Sequence, residues 1–173
     1  MVKAIINGTI YELDKVIEQG LVLIEGSTIT AVGPADTLAV PPEAEVIDAQ
    51  GRAVVPGFID VHMHGLMGHD AMGPGLAHVI GDLPDFGVTA FLGTTLTLPC
   101  DETLADLKAM VEVLDAPPPG AQCLGIHLEG PFLSPARPGM ATSDWFEPLN
   151  WNGFQGLQQA ARGHTRMVTF APE

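Results

Sequence analysis

The 173-residue chain is 46% hydrophobic and 16% charged, with 20 Gly and 15 Pro in no three-residue period and only two Cys, a composition that excludes a disordered, collagen-like or disulfide-framed protein. Twenty-one acidic against seven basic residues give a net charge of −14, which leaves no basic footprint for a nucleic acid and a field that opposes anionic ligands unless a metal or a local arginine reverses it. No run of about 18 apolar residues is present, and the apolar start breaks at Asn7-Gly8, so no membrane span and no signal peptide are expected, and a cytoplasmic location with reduced Cys100 and Cys123 follows.

Residues 1–55 read as short strands between turns. Val2–Ile6, Asn7-Gly8 and Thr9–Tyr11 carry a hairpin signal, because Asn-Gly suits the positive φ angles of a tight turn. Leu21–Ile24, Glu25-Gly26-Ser27 and Thr28–Val32 repeat it, and Ala44–Ala49 and Ala53–Val55 follow. From Pro56 the rhythm changes. A strand over Phe58–Met63 runs into a Gly-rich loop, and a helix is expected over Leu76–Phe86, interrupted at Pro84. Val88–Thr94 is the next strand. Leu104, Leu107, Val111 and Leu114 then fall at helical spacing in Glu102–Leu114, with Asp101 as the expected N-cap. Cys123–Leu128 is the third strand and leads to a loop over Gly130–Asn150, whose Phe132, Trp145, Phe146 and Trp151 predict a packed lid. A helix over Gly153–Arg162 and a strand over Met167–Ala171 complete the pattern. Strands alternating with helices point to a parallel sheet, either a small open one or the first half of an eight-stranded barrel.

Chemistry concentrates at two strand ends. In Asp60-Val61-His62-Met63-His64-Gly65 the two histidines alternate onto one side, with attachment points about 6.5–7 Å apart. Imidazoles at that spacing can converge on one ion, at the carboxyl edge of the sheet where α/β proteins place their sites. His127-Leu128-Glu129-Gly130-Pro131 presents Glu129, an oxygen ligand for zinc, iron or manganese, at the same edge. His127 lies one position deeper and reads equally as a group orienting a ligand from behind or as a hydrogen-bonded core histidine. His69, Asp70, His78 and His164 read as solvated loop or surface residues. Phosphate-cradling glycine motifs and a Gly-x-Ser-x-Gly elbow are absent.

The segments PGFIDVHMHG (56–65), GVTAFLGTTLT (87–97), GIHLEGPFLSPARPG (125–139) and VTFAPE (168–173) resemble the N-acetylglucosamine-6-phosphate deacetylase family of the amidohydrolase superfamily. The resemblance implies the first half, about four strands, of a TIM-like barrel (56–173), preceded by part of a small β-sandwich (1–55). It implies a divalent ion, zinc, iron or manganese, one or two per site. Glu129 matches the family's metal-binding glutamate, and His62 and His64 match the His-x-His pair of members that hold a second metal. Substrate contacts are implied at Met140 and Ala141, the latter standing where the family usually has histidine. The implied reaction is hydrolysis of the N-acetyl group of N-acetylglucosamine 6-phosphate to glucosamine 6-phosphate and acetate. The family's catalytic aspartate, two later histidines and most phosphate contacts correspond to positions beyond Glu173, so the 173 residues alone are expected to be weak or inactive. The alternatives are a cyclic amidase, which shares the PGFIDxHxH entrance but not HLEGP, and a non-catalytic chain that assembles with partners. Half a barrel leaves two open sheet edges, so a homo-oligomer or other self-association is expected.

Overall fold

β-branched residues recur through the first 34 positions and pair as a meander in the structure, a computed structural model that describes residues 1–173. β1 (Val2–Tyr11), β2 (Val16–Glu25) and β3 (Thr28–Pro34) are antiparallel neighbours. β4 (Glu45–Asp48) and β5 (Ala53–Val54) run parallel to β1 along its other edge, giving the order β3-β2-β1-β4 with β5 beside β1. These strands make one compact unit, Met1–Pro56. Its apolar face gathers Ile10, Ile17 and Val22 with Ile5, Ile24, Val32 and Val54, and it encloses a cleft of about 350 Å³.

The Asn7-Gly8 pair does not turn the chain as expected. Asn7 takes φ 56° inside a continuous β1, and the register with β2 shifts on either side of Gly8. The reversal comes later, where Glu12 N–H donates to the Lys15 carbonyl (2.9 Å). A left-handed residue that can open a tight turn can equally form a bulge. The ten-residue β2 gives β1 a partner on both sides of Asn7, and the bulge results.

The second unit, Gly57–Glu173, is built on β6 (Phe58–Met63). A two-residue hairpin follows it, β7 (Gly65–Leu66) and β8 (His69–Asp70), whose turn residues Met67 and Gly68 take φ 53° and 86°. Positive φ at both turn residues matches the right-handed twist of a ribbon. α1 (Leu76–Asp82) ends before Pro84, and a 3₁₀ turn over Leu83–Phe86 completes the expected helix. Next come β9 (Val88–Thr94), α2 (Cys100–Asp115), β10 (Gln122–Glu129), α3 (Trp151–Ala160) and β11 (Thr165–Thr169). β6, β9, β10 and β11 pair in parallel in the order of the chain. Four parallel strands alternating with helices in chain order are the arrangement of a partial β/α barrel.

Two helix starts differ from expectation. α2 begins at Cys100, behind Pro99, with no side-chain cap. Asp101 lies within its first turn, beside Glu102, where acidic groups favour the positive helix end. α3 begins at Trp151, because Asn150 Oδ1 accepts from Gly153 N–H (2.6 Å) and caps it earlier than the expected Gly153 start. The core between sheet and helices holds Phe91, Leu76, Ile80, Leu107, Met110 and Ile126, all essentially without solvent exposure. Of the loop aromatics only Phe132 enters that core. Trp145 and Trp151 stay partly exposed, and Trp151 leans on Phe154 with ring centroids 5.6 Å apart. Cys100 and Cys123 are free thiols, and no helix is long and apolar enough to cross a membrane.

Candidate metal centre

β6 and β10 end at the same rim of the parallel sheet, and their last side chains meet there. His62 Nε2 lies 3.0 Å from His64 Nε2 and 3.3 Å from Glu129 Oε2, and His64 Nε2 lies 3.0 Å from the same oxygen. The sequence places the histidines two apart so that both reach one side, while the ladder between β6 and β9 shifts register between Asp60 and Met63. Asp60 Oδ1 accepts from His62 N–H (2.9 Å) and steadies the strand end from its own side chain.

Three lone-pair-bearing atoms this close need a shared proton or a cation among them. Metal bonds of about 2.0–2.1 Å at tetrahedral angles would set their ligand atoms about 3.3 Å apart, so the observed 3.0–3.3 Å triangle fits a divalent ion with little adjustment. Two imidazoles and one carboxylate suit zinc, iron or manganese alike. The side chains of His62, His64 and Glu129 keep 48%, 38% and 27% of their surface exposed, and a three-ligand site open on one side leaves a position for water or substrate. His64 Nδ1 is buried without a hydrogen-bond partner, so that ring is held at its Nε2 end alone.

His127 sits directly beneath. It is 1% exposed and lies edge-on to His62 at 4.8 Å between centroids. Its Nδ1 is 3.3 Å from Thr94 Oγ1 and its Nε2 is 2.8 Å from Thr169 Oγ1. Burial, reinforced by the His62 imidazole, pushes its pKa below the usual histidine value, so the ring is neutral at pH 7, one nitrogen donating and the other accepting. Both hydroxyls can donate or accept, so either tautomer satisfies them. Thr94 Oγ1 also accepts from Met63 N–H (3.0 Å), the peptide between the two ligand histidines. Sequence reading singled out neither Thr94 nor Thr169. A threonine at a strand end is an ordinary β-former, and its partner lies on another strand.

The remaining candidates fall elsewhere. Met140 is fully exposed, and Ala141 N–H donates to the Pro138 carbonyl (3.0 Å) in a local turn of the long loop. His69 stacks on His78, with centroids 4.1 Å apart and planes at 16°. His164 lies 3.4 Å from Asp115, which Arg162 also meets at 2.8 Å. Neither pairing belongs to the His62–His64–Glu129 group.

No protein-family model matches the chain. Among curated proteins, it is similar to the N-acetylglucosamine-6-phosphate deacetylase of Bacillus subtilis (strain 168), 34% identical over 166 residues, which are 92% of this chain and 42% of that protein. It is also similar to the N-acetylgalactosamine-6-phosphate deacetylase of Escherichia coli O157:H7, 31% identical over 144 residues, 77% of this chain and 36% of that one. The crystal structure of N-acetylglucosamine-6-phosphate deacetylase from Pasteurella multocida superposes with a TM-score of 0.84 at 26% identity, covering 100% of this chain and 45% of that one. The chain therefore spans less than half the length of the relatives it matches.

Proposed function

The chain belongs to the N-acetylglucosamine-6-phosphate deacetylase family of the amidohydrolase superfamily, and from that membership we propose that it carries the metal-binding half of a machinery that hydrolyses the N-acetyl group of N-acetylglucosamine 6-phosphate to glucosamine 6-phosphate and acetate. The observation that carries this reading is the convergence of His62, His64 and Glu129 at the carboxyl rim of β6 and β10. These three residues would hold one divalent ion. Such an ion supplies Lewis-acid polarisation of the acetamide carbonyl and lowers the pKa of a water toward 7.

The chain's own residues do the rest of what it can do. The two imidazoles and the carboxylate fix a position at the rim and leave one side open to the sugar's acetamide. His127, neutral and bracketed by two threonines, supports His62 edge-on from below. Met140 and Ala141 belong to the long loop after β10 and would supply contacts to the sugar. Amide cleavage also needs a group that takes a proton from water and gives one to the leaving amine. Both nitrogens of His127 face threonines, so that ring presents no free nitrogen for this role. We therefore expect the 173 residues to bind metal and to turn over weakly or not at all.

The test is metal content together with acetate release from N-acetylglucosamine 6-phosphate and N-acetylgalactosamine 6-phosphate. One stoichiometric ion with little acetate from either sugar is the expected result. Full turnover would overturn the inactivity of the chain, and the absence of bound metal would overturn the centre. The second expectation concerns assembly. β6 and β11 are the edges of the parallel sheet, and Phe58, Ile59 and Phe170 are exposed. An apolar groove of about 440 Å³ beside β11 is lined by Trp151, Phe154, Val168 and Phe170. Open edges with apolar flanks invite association, and light scattering after size exclusion should give a mass above one chain. A clean monomer at high micromolar concentration speaks against it.

A further inference from the structure

The three ligand atoms come from the ends of β6 and β10, His64 lying one residue beyond β6, and β9 lies between these strands. β9 contributes no ligand, yet it alone spaces the strands that do. Its carboxyl end runs into Thr94, Thr95 and Thr97, none more than 6% exposed. Glu129 N–H donates to Thr95 Oγ1 (3.1 Å), and Thr97 Oγ1 donates to the Glu129 carbonyl (3.3 Å). Thr95 N–H donates to the His127 carbonyl (3.0 Å), and Gly130 N–H to the Thr169 carbonyl (3.2 Å). Gly130 takes φ 80°, and a Cβ there would collide with Thr97 Oγ1. Glycine at 130 is therefore what lets the Thr97 hydroxyl close on the Glu129 peptide.

We propose that Thr95 and Thr97 are positioning residues that grip the main chain of Glu129 on both sides and thereby aim its carboxylate at His62 and His64. The inference rests on the ligand set proposed above. Neither hydroxyl bonds the carboxylate, so the effect is on geometry and not on charge. A strand end ordinarily frays, and its last side chain wanders with it. Two part-buried hydrogen bonds from the segment that follows β9 remove that freedom, and leaving either peptide group unpaired away from water is costly. Sites of this kind depend on supporting residues that hold ligands within roughly 0.5 Å of the productive geometry.

The experiment compares the wild-type chain with Thr95→Val, Thr95→Ser and Thr103→Val. Thr103 is a matched control. It is equally buried, and its Oγ1 donates to the Leu98 carbonyl (3.3 Å) at the start of α2. Cobalt(II) affinity is measured by competition with a chelating dye, and amide hydrogen exchange at Glu129 is followed in the metal-free protein. Thr95→Val should weaken cobalt binding about 10–100-fold, the usual cost of losing a partner behind a ligand, while Thr95→Ser stays within about threefold of wild type. Thr103→Val should lose stability and keep its affinity. Exchange at Glu129 should quicken in Thr95→Val and not in Thr95→Ser. If exchange responds in this way and the wild type binds no cobalt, the metal reading fails and the grip on Glu129 stands. Unchanged exchange in Thr95→Val, or unchanged affinity where the wild type binds, overturns the proposal.

Discussion

Glu129→Ala reduces cobalt(II) affinity more than about 100-fold, because removing a ligand must exceed the 10–100-fold cost typical of removing a group behind one. The carboxylate is the only negative charge in the triangle. Without it two imidazole nitrogens 3.0 Å apart remain, and a pair of neutral donors on a partly exposed rim holds a divalent ion poorly. The fold should not suffer. The Glu129 side chain is 27% exposed, and the bonds that hold this residue in the sheet are made by its peptide groups, which alanine keeps. The measurement is a dye-competition titration beside a thermal melt. Wild-type affinity in Glu129→Ala would remove the carboxylate from the ligand set. A lowered melting point of several degrees would show that the lost affinity came from lost structure. Glu129→Gln refines the result, since it keeps the shape and an oxygen but loses the charge, and it should bind only marginally better than alanine.

The second large effect concerns the fold that presents the site. Phe91→Ala costs about 3–5 kcal/mol, the range for truncating a buried phenylalanine, with the exact cost set by how far the surroundings collapse into the space. Phe91 is entirely buried on β9, the strand flanked by β6 and β10, within the cluster that includes Leu76, Ile80, Leu107, Met110 and Ile126. Helices close over it on one side of the sheet, so little collapse is available. At about 2–4 °C per kcal/mol for a chain of this length, the melting point should fall by roughly 10 °C. Leu13→Ala is the contrast. Leu13 is fully exposed, and its replacement should change stability by less than about 0.5 kcal/mol. Equal melting points for the two variants would contradict the core assignment.

The parallel half of the fold was legible because each signal there had one physical meaning. Val88–Thr94 and Phe58–Met63 are short, largely apolar runs that each open after a glycine, and both are strands to the residue. His62 and His64 could be placed on one side of a strand by alternation alone, and Glu129 could be brought to the same rim because parallel strands end together. What failed was ambiguous at the level of the single residue. Asn-Gly supports a turn and a bulge equally, and only the length of β2 decides between them. Asp101 suits both the cap and the first turn of α2, and Pro99 moved the start. The β7–β8 hairpin was missed because Met67 takes a left-handed conformation that methionine seldom advertises. Thr94, Thr95, Thr97 and Thr169 stayed invisible for a different reason. A threonine on a strand declares only its backbone preference, and these hydroxyls acquire a purpose from residues about 30 to 40 positions away.

The placement of β9 between the two ligand strands has a mechanical consequence. In a flat sheet, strands two places apart run about 9.5 Å from one another, so the imidazoles and the glutamate must lean toward each other across β9 to meet. Their ligand atoms nevertheless come within 3.3 Å. The triangle thus works as a caliper for strand spacing, and an ion seated in it would act as a cross-tie that resists the parting of β6 and β10. Strand spacing and ion affinity are then linked, so anything that holds β6 and β10 at this separation also tightens the grip on the metal.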